Sequence, residues 1–149
     1  MNDLVIESTT DFAVIRELLL EYATTLQVDL SFQKFDDEIK QLDTFYEVIL
    51  IARFSDEPAG CVALRRLEPH ICEMKRLFVR ETFRGLGIGK ALAEAVIAEA
   101  RQRGYAQMRL DTLPIMHTAM ALYEALGFQE TAAYRFNPIE GSRFMELTL

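Results

Sequence analysis

Leu77-Phe78-Val79-Arg80-Glu81-Thr82-Phe83-Arg84-Gly85-Leu86-Gly87-Ile88-Gly89-Lys90 decides how this chain is read. An apolar run of strand character gives way to a loop holding three of the chain's seven glycines, and a helical pattern begins on its far side. The amides of a helix's first turn have no partner within the helix, so they can hold an anion. Glycine lets a ligand approach the backbone and permits positive φ. Lys75, Arg76, Arg80, Arg84 and Lys90 face a single acid, Glu81, between positions 75 and 90, within a chain of net charge −7. A locally basic loop on an acidic protein points to a specific anionic ligand and away from diffuse polyanion binding. Without a ligand, the same segment reads as a tight strand-to-helix turn with a solvated charged face.

Downstream of the loop, Ile88, Leu92, Val96 and Ala100 recur every four residues and predict an amphipathic helix over 87–103, ended by Gly104. Then come a strand at 107–111, a short helix at 118–126 closed by Gly127, and strands at 128–134 and 143–149. Upstream, 71–79 reads as a strand after a turn at Pro69-His70. The runs 46–53 and 59–67 form an antiparallel hairpin about a turn at Ser55-Asp56-Glu57-Pro58. A first strand at 4–7 precedes a helix capped at Thr10-Asp11, whose apolar positions are Phe12, Ile15, Leu18, Leu19, Tyr22 and Leu26. A second helix is expected over 31–42, with Phe32, Phe35, Ile39 and Leu42 on one stripe. The order βααβββαβαββ is an α+β sheet with both parallel and antiparallel pairs.

The chain has 149 residues, half of them hydrophobic and 26% charged, which suits one domain over 1–149 and excludes disorder and fibrous repeats. Sixteen basic residues against 23 acids leave no surplus for nucleic-acid binding. Two cysteines, Cys61 and Cys72, are too few for a disulfide scaffold. The N-terminus shows no signal-peptide pattern, and no apolar run approaches the roughly 20 residues of a membrane span. A cytoplasmic setting is expected. His70, Cys72, Cys61 and His117 lack metal-site spacing, so no metal is expected.

Two nucleotide motifs fit the loop poorly. In the P-loop pattern Arg84 stands at the first glycine and Ala91 replaces the magnesium-binding hydroxyl; in the dinucleotide pattern Lys90 replaces the last glycine. Read as [Q/R]-x-x-G-x-[G/A], the segment matches at Arg84, Gly87 and Gly89, and it resembles the acyl-CoA pyrophosphate loop of the GNAT superfamily of N-acetyltransferases. The strand from Glu73 to Val79 resembles that family's central splayed strand, and Ala119-Met120-Ala121-Leu122-Tyr123-Glu124-Ala125-Leu126-Gly127-Phe128 resembles its A-x-x-L-Y-x-x-x-G-F segment. The element order agrees over nearly the whole chain, more loosely in the first 45 residues.

The resemblance implies a GNAT-like fold with helices on both faces of the sheet and splayed central strands. It implies acetyl-CoA as acyl donor, held by the backbone of Gly85, Leu86, Gly87, Ile88, Gly89 and Lys90 with Arg84, while Leu77 and Val79 pair with pantetheine. A frequent Asn is Met116 here, which removes one side-chain hydrogen bond to the pantetheine arm. Acetyl transfer to an amine needs three things: deprotonation of an amine of pKa about 10.4, stabilisation of the thioester oxyanion, and a proton for the departing thiolate. A strand amide near Phe78 suits the second. By resemblance Tyr123 is the acid, against a packing role in its helix, and Glu73 the base acting through water, against an exposed strand residue paired across the sheet.

By resemblance the acceptor site is lined by the region of the first two helices and the connection between the last two strands, with Tyr22, Gln33, Arg65, Tyr134, Arg135 and Asn137 as candidates. Arg65 and Arg66 fall on opposite strand faces, so at most one reaches the cleft, where an arginine would favour an acceptor with a carboxylate or phosphate. Asn137-Pro138 reads most simply as a turn. The expected function is N-acetyltransfer to a small amine or exposed amino group by direct attack in a ternary complex, since no cysteine occupies a nucleophile position. The competing expectation is a non-catalytic acyl-CoA-binding sensor, which would not need Tyr123. Homodimers are common in the family resembled, with no feature here fixing an interface.

Overall fold

The computed structural model describes residues 3–26, 35–113, 117–135, 137 and 140–149. Expectations placed on Gln33, Met116, Pro138 and the start of the second helix lie outside them. Among the described residues seven strands form one sheet in the order β1-β2-β3-β4-β5-β7-β6. In chain order the elements are β1 (Leu4–Ser8), α1 (Phe12–Leu26), α2 (Phe35–Lys40), α3 (Leu42–Phe45), β2 (Val48–Phe54), β3 (Glu57–Glu68), β4 (Ile71–Val79), α4 (Ile88–Gln102), β5 (Gln107–Thr112), α5 (His117–Ala125), β6 (Gln129–Glu130) and β7 (Arg143–Thr148), with a 3-10 turn at Glu81–Phe83 after β4. Among the described residues no helix is long and apolar enough to cross a membrane.

Strand alternation divides the core between the two faces of the sheet. Leu50, Val62, Leu64, Met74, Met108 and Leu110 meet the Ile88, Leu92, Val96 and Ala100 stripe of α4 on one face. Ile49, Ile51, Cys61, Ala63 and Phe78 meet Ile15, Leu18, Leu19 and Tyr22 of α1 on the other. Each large aliphatic side chain buried this way contributes roughly 1.5–3 kcal/mol, so the α4 stripe alone fixes that helix on the sheet.

Two elements depart from the sequence reading. The expected helix 31–42 is broken at Gln41 (φ −128°, ψ 41°), giving α2 and α3 as separate short pieces. The buried positions there are Phe35, Glu38 and Leu42, so Glu38 takes the inward place and Ile39 is only partly buried. The expected strand 128–134 shrinks to Gln129–Glu130. After Thr131 donates its N–H to the Phe144 carbonyl at 2.8 Å, the chain leaves the ladder, and Tyr134 packs edge-on against Phe144 with ring centroids 5.2 Å apart.

Strand β4 positions the site. Its ladder with β3 runs Ala63↔Lys75 and then Cys61↔Phe78, so β4 carries one extra residue, a bulge. Arg76 within it has φ +61°, a conformation costing a non-glycine residue about 1–3 kcal/mol. Its side chain compensates: Arg76 Nε and Nη2 donate to the Glu38 carboxylate at 3.0 and 2.9 Å. The Tyr46 hydroxyl donates to the same carboxylate, and the guanidinium lies 5.1 Å from the Phe35 ring centroid. Gly60 stands opposite the bulge because a Cβ there would sit 2.4 Å from the Phe78 carbonyl oxygen.

Candidate active site

The bulge turns β4 away from its parallel neighbour. β4 and β5 pair only at Ile71↔Gln107, Cys72↔Met108 and Glu73↔Arg109, and beyond Glu73 the two strands part. A cleft of about 620 Å³ opens at the splay. Leu77, Phe78 and Val79 form one wall, Tyr22 and Thr25 of α1 another, and Thr118, Ala119 and Leu122 of α5 a third. The loop and the start of α4 close its end with Arg84, Gly85, Gly87, Ile88, Gly89 and Lys90. Every residue expected to bind the acyl donor therefore lines one cleft except Leu86, which is exposed.

Two left-handed glycines shape the loop, Gly85 (φ +82°) and Gly87 (φ +79°), the latter at the N-cap of α4. The N-cap residue makes no side-chain cap hydrogen bond, and the first-turn residues Ile88, Gly89 and Lys90, whose amides have no partner within the helix, line the cleft's end. Arg84 donates from Nε to the Val79 carbonyl at 3.1 Å, which ties the loop back to β4.

Tyr123, on α5, is 5% exposed, with its ring edge-on to Phe128. Burial raises its hydroxyl pKa, and Tyr22 and Asp111 act in the same direction. Glu73 is 0% exposed, so it is not the exposed strand residue of its alternative role, though it is paired with an arginine. Its Oε2 accepts the Tyr134 hydroxyl at 2.6 Å and an ion pair from Arg135. Oε1 is buried without a hydrogen-bond partner among the described residues. Burial, with Glu73 and Asp111 adding to it, pushes the Tyr134 phenol well above its usual range.

Of the other acceptor candidates, Tyr22 reaches the cleft itself. Arg65 is half-buried with its guanidinium 4.5 Å from the Phe45 ring centroid, while Arg66 is exposed. Asn137 is half-buried. Among the described residues no cluster of potential ligands could hold a metal.

Two residues to which the sequence reading gave no place in the catalytic or acceptor site belong here. Asp111, past the point where β5 parts from β4, exerts its charge on Tyr22, Lys75, Tyr123, Tyr134 and Arg135 alike. Lys75 is buried as well, and burial, helped by the Arg76 guanidinium, brings its ammonium down to about 8. In sequence both sit in an alternating strand pattern, where a site-facing charge looks the same as a solvent-facing one.

This cleft sits in a chain whose residues 12–128 match the model of the acetyltransferase (GNAT) family. The chain belongs to the GNAT acetyltransferase family. It is thereby an acyltransferase. An uncharacterized N-acetyltransferase of Schizosaccharomyces pombe is 37% identical to it over 93% of this chain and 89% of its own length. One from Dictyostelium discoideum is 30% identical, over 90% and 92% respectively. Among solved structures, an acetyltransferase from Streptococcus agalactiae superposes over all of both chains with a TM-score of 0.81 at 21% identity. A GNAT family acetyltransferase from Elizabethkingia anophelis with acetyl-CoA bound does so with a TM-score of 0.75, also at 21% identity. These last two share the fold of this chain.

Proposed function

We propose that this chain is a single N-acetyltransferase domain that binds acetyl-CoA in the β4–β5 cleft and acetylates a primary amine by direct attack in a ternary complex. The observation that carries this reading is the splay itself: β4 beyond Glu73 has an open edge for an extended arm, and that edge leads to an uncapped helix start built for a diphosphate. The acetyl-CoA-bound relative of the same fold supports the choice of ligand. When bound, acetyl-CoA supplies an activated thioester.

The chain's own groups then divide the work. The amides of α4's first turn hold the pyrophosphate, and the backbone of Leu77, Phe78 and Val79 aligns the pantetheine arm, with an amide near Phe78 facing the thioester oxygen. The amine nitrogen bonds to the carbonyl carbon as the C–S bond breaks. An ammonium acceptor gives up two protons and the thiolate takes one, so one proton is released overall. Glu73, through Oε1 and an intervening water, receives a proton from the acceptor. Tyr123, kept protonated by burial, has a proton to give to the thiolate. A cysteine relay has no support, since Cys61 and Cys72 are buried and burial pushes both thiols up to about 12.

Tyr123→Phe tests the catalytic half of this reading. Removal of a general acid lowers kcat by about 10²-fold or more, with acetyl-CoA affinity retained. Unchanged turnover would remove Tyr123 from the chemistry. Tight acetyl-CoA binding by the wild type with no acetyl transfer to any amine would make the protein a binding module instead.

A further inference from the structure

The register of the sheet places a line of alternating charge beside the cleft. Arg65 pairs with Glu73, Glu73 with Arg109, and Arg109 with Glu146 across four adjacent strands. All four side chains project from the α1 face, as do Lys75 and Asp111 one pleat further along. Tyr134 and Arg135 fold over this surface from the β6–β7 connection.

Most of these charges are satisfied internally. Arg135 and Tyr134 occupy one oxygen of Glu73. Arg109 is held by Glu146 at 2.8 Å and Glu68 at 3.4 Å. Arg65, Lys75 and Asp111 remain, none of them in an ion pair with another described residue. Three buried polar atoms on this face also lack a hydrogen-bond partner among the described residues: Arg65 Nε, a donor, and Asp111 Oδ2 and Glu73 Oε1, both acceptors. Buried polar groups left unsatisfied are costly and uncommon, and a cluster of them marks a place where something else binds. The complement of one guanidinium donor and two carboxylate acceptors is a molecule with an anionic group at one end and an ammonium at the other. The unpaired charges, two positive and one negative, disfavour an acceptor that is purely cationic.

We propose that the acceptor is a small amine that also carries a carboxylate, its ammonium on Asp111 and, through the intervening water, on Oε1 of Glu73, and its carboxylate on Arg65. Lys75 lies between the two ends and adds positive potential to the carboxylate side. This assignment rests on the acetyl-transfer reading above and names its substrate class. Arg65 acts as the specificity determinant: its guanidinium is fixed against the Phe45 ring, leaving its unpartnered Nε–H for the ligand.

The test is a panel of matched acceptors, each amino acid set against its decarboxylated amine (phenylalanine with phenethylamine, leucine with isoamylamine), plus spermidine. The readout is CoA thiol release together with the mass of the product. The carboxylated member is expected to lead its partner by tenfold or more in kcat/KM. Arg65→Gln should cut that ratio about tenfold, and Arg65→Lys should restore part of it. Because each ratio is taken within one enzyme preparation, a loss of folded fraction cancels. Preference for the decarboxylated amines or spermidine, a ratio unmoved in Arg65→Gln, or no turnover of any amino acid overturns the proposal. Failure of the underlying reading is seen separately by calorimetry, as absence of acetyl-CoA binding by the wild type.

Discussion

The Arg76–Glu38 pair offers a demanding test of how the cleft is held open. The pair is buried at both ends, with side chains 3% and 0% exposed and N and O 2.9 Å apart. It ties α2 to the one residue of β4 held at φ +61°. Removing one partner of such a pair strands a charge in a medium that solvates it poorly and costs about 3–5 kcal/mol. Glu38→Met should fall at the upper end, because a guanidinium cannot shed its proton. Arg76→Met should cost less, since the Tyr46 hydroxyl still donates to Glu38 and the carboxylate can take up a proton. The double variant removes both charges, and well-packed apolar replacements of a buried pair come out roughly neutral. The singles should therefore sum to several kcal/mol more than the double, a coupling of about 3 kcal/mol or more. Urea unfolding followed by circular dichroism measures each value, provided the m-values agree. In a domain of this size, Glu38→Met should lose roughly 10 °C in Tm. Singles that each cost under about 1 kcal/mol, or a double equal to their sum, would refute the view that this pair anchors the bulge.

Two further outcomes follow from the same strand. Gly60→Ala should destabilise the fold by about 1–3 kcal/mol, because its Cβ would meet the Phe78 carbonyl oxygen at 2.4 Å and backbone has to move; a thermal melt matching wild type would show that the bulge does not need glycine opposite it. Lys75→Met should stabilise the protein at pH 7, and the gain should depend on pH. The fold lowers this ammonium from 10.5 to about 8, so between those values the unfolded chain binds more protons and wild-type stability rises with pH. Below pH 8 the penalty is complete, at most about 3 kcal/mol, so the variant's gain is largest there and fades as the pH approaches 10.5. A gain that stays constant across that range would mean Lys75 is not charged at a cost.

Local signals in the sequence carried much of the fold. The apolar period of 88–100 predicts α4, and the strand read at 71–79 is β4 with the same bounds. Both rest on patterns that tertiary packing reinforces. Where tertiary contacts override the pattern, the reading fails. The stripe read as Phe32, Phe35, Ile39 and Leu42 does not include Glu38, which turns inward because Arg76, 38 residues away, meets it there. The strand expected at 128–134 ends early because Tyr134 and Arg135 turn to Glu73 across the sheet, a pairing 61 and 62 residues distant. In the site, the glycine loop was legible because an uncapped helix start with left-handed glycines is a local device. Asp111 was not, since its surroundings are created only when β4 and β5 part. The bulge at Arg76 carried no local cue either: arginine is an uncommon choice for positive φ, and its reason is the carboxylate that awaits its side chain.

The central claim is that the splayed β4–β5 cleft is an acetyl-CoA site. Isothermal titration of the wild type with acetyl-CoA, beside free CoA, ATP and NAD, tests it most directly, with Gly87→Glu as the variant. A Cβ at Gly87 would meet no atom within 4 Å, so the substitution leaves the core packing intact and places a carboxylate at the anion site, at a backbone cost of about 1–3 kcal/mol for a non-glycine residue held at φ +79°. The account predicts saturable binding of both CoA species, no comparable binding of ATP or NAD, and loss of CoA binding in a Gly87→Glu protein that still melts cooperatively. Well-folded wild-type protein that binds neither CoA species, or a Gly87→Glu variant that binds them as tightly as wild type, would contradict it.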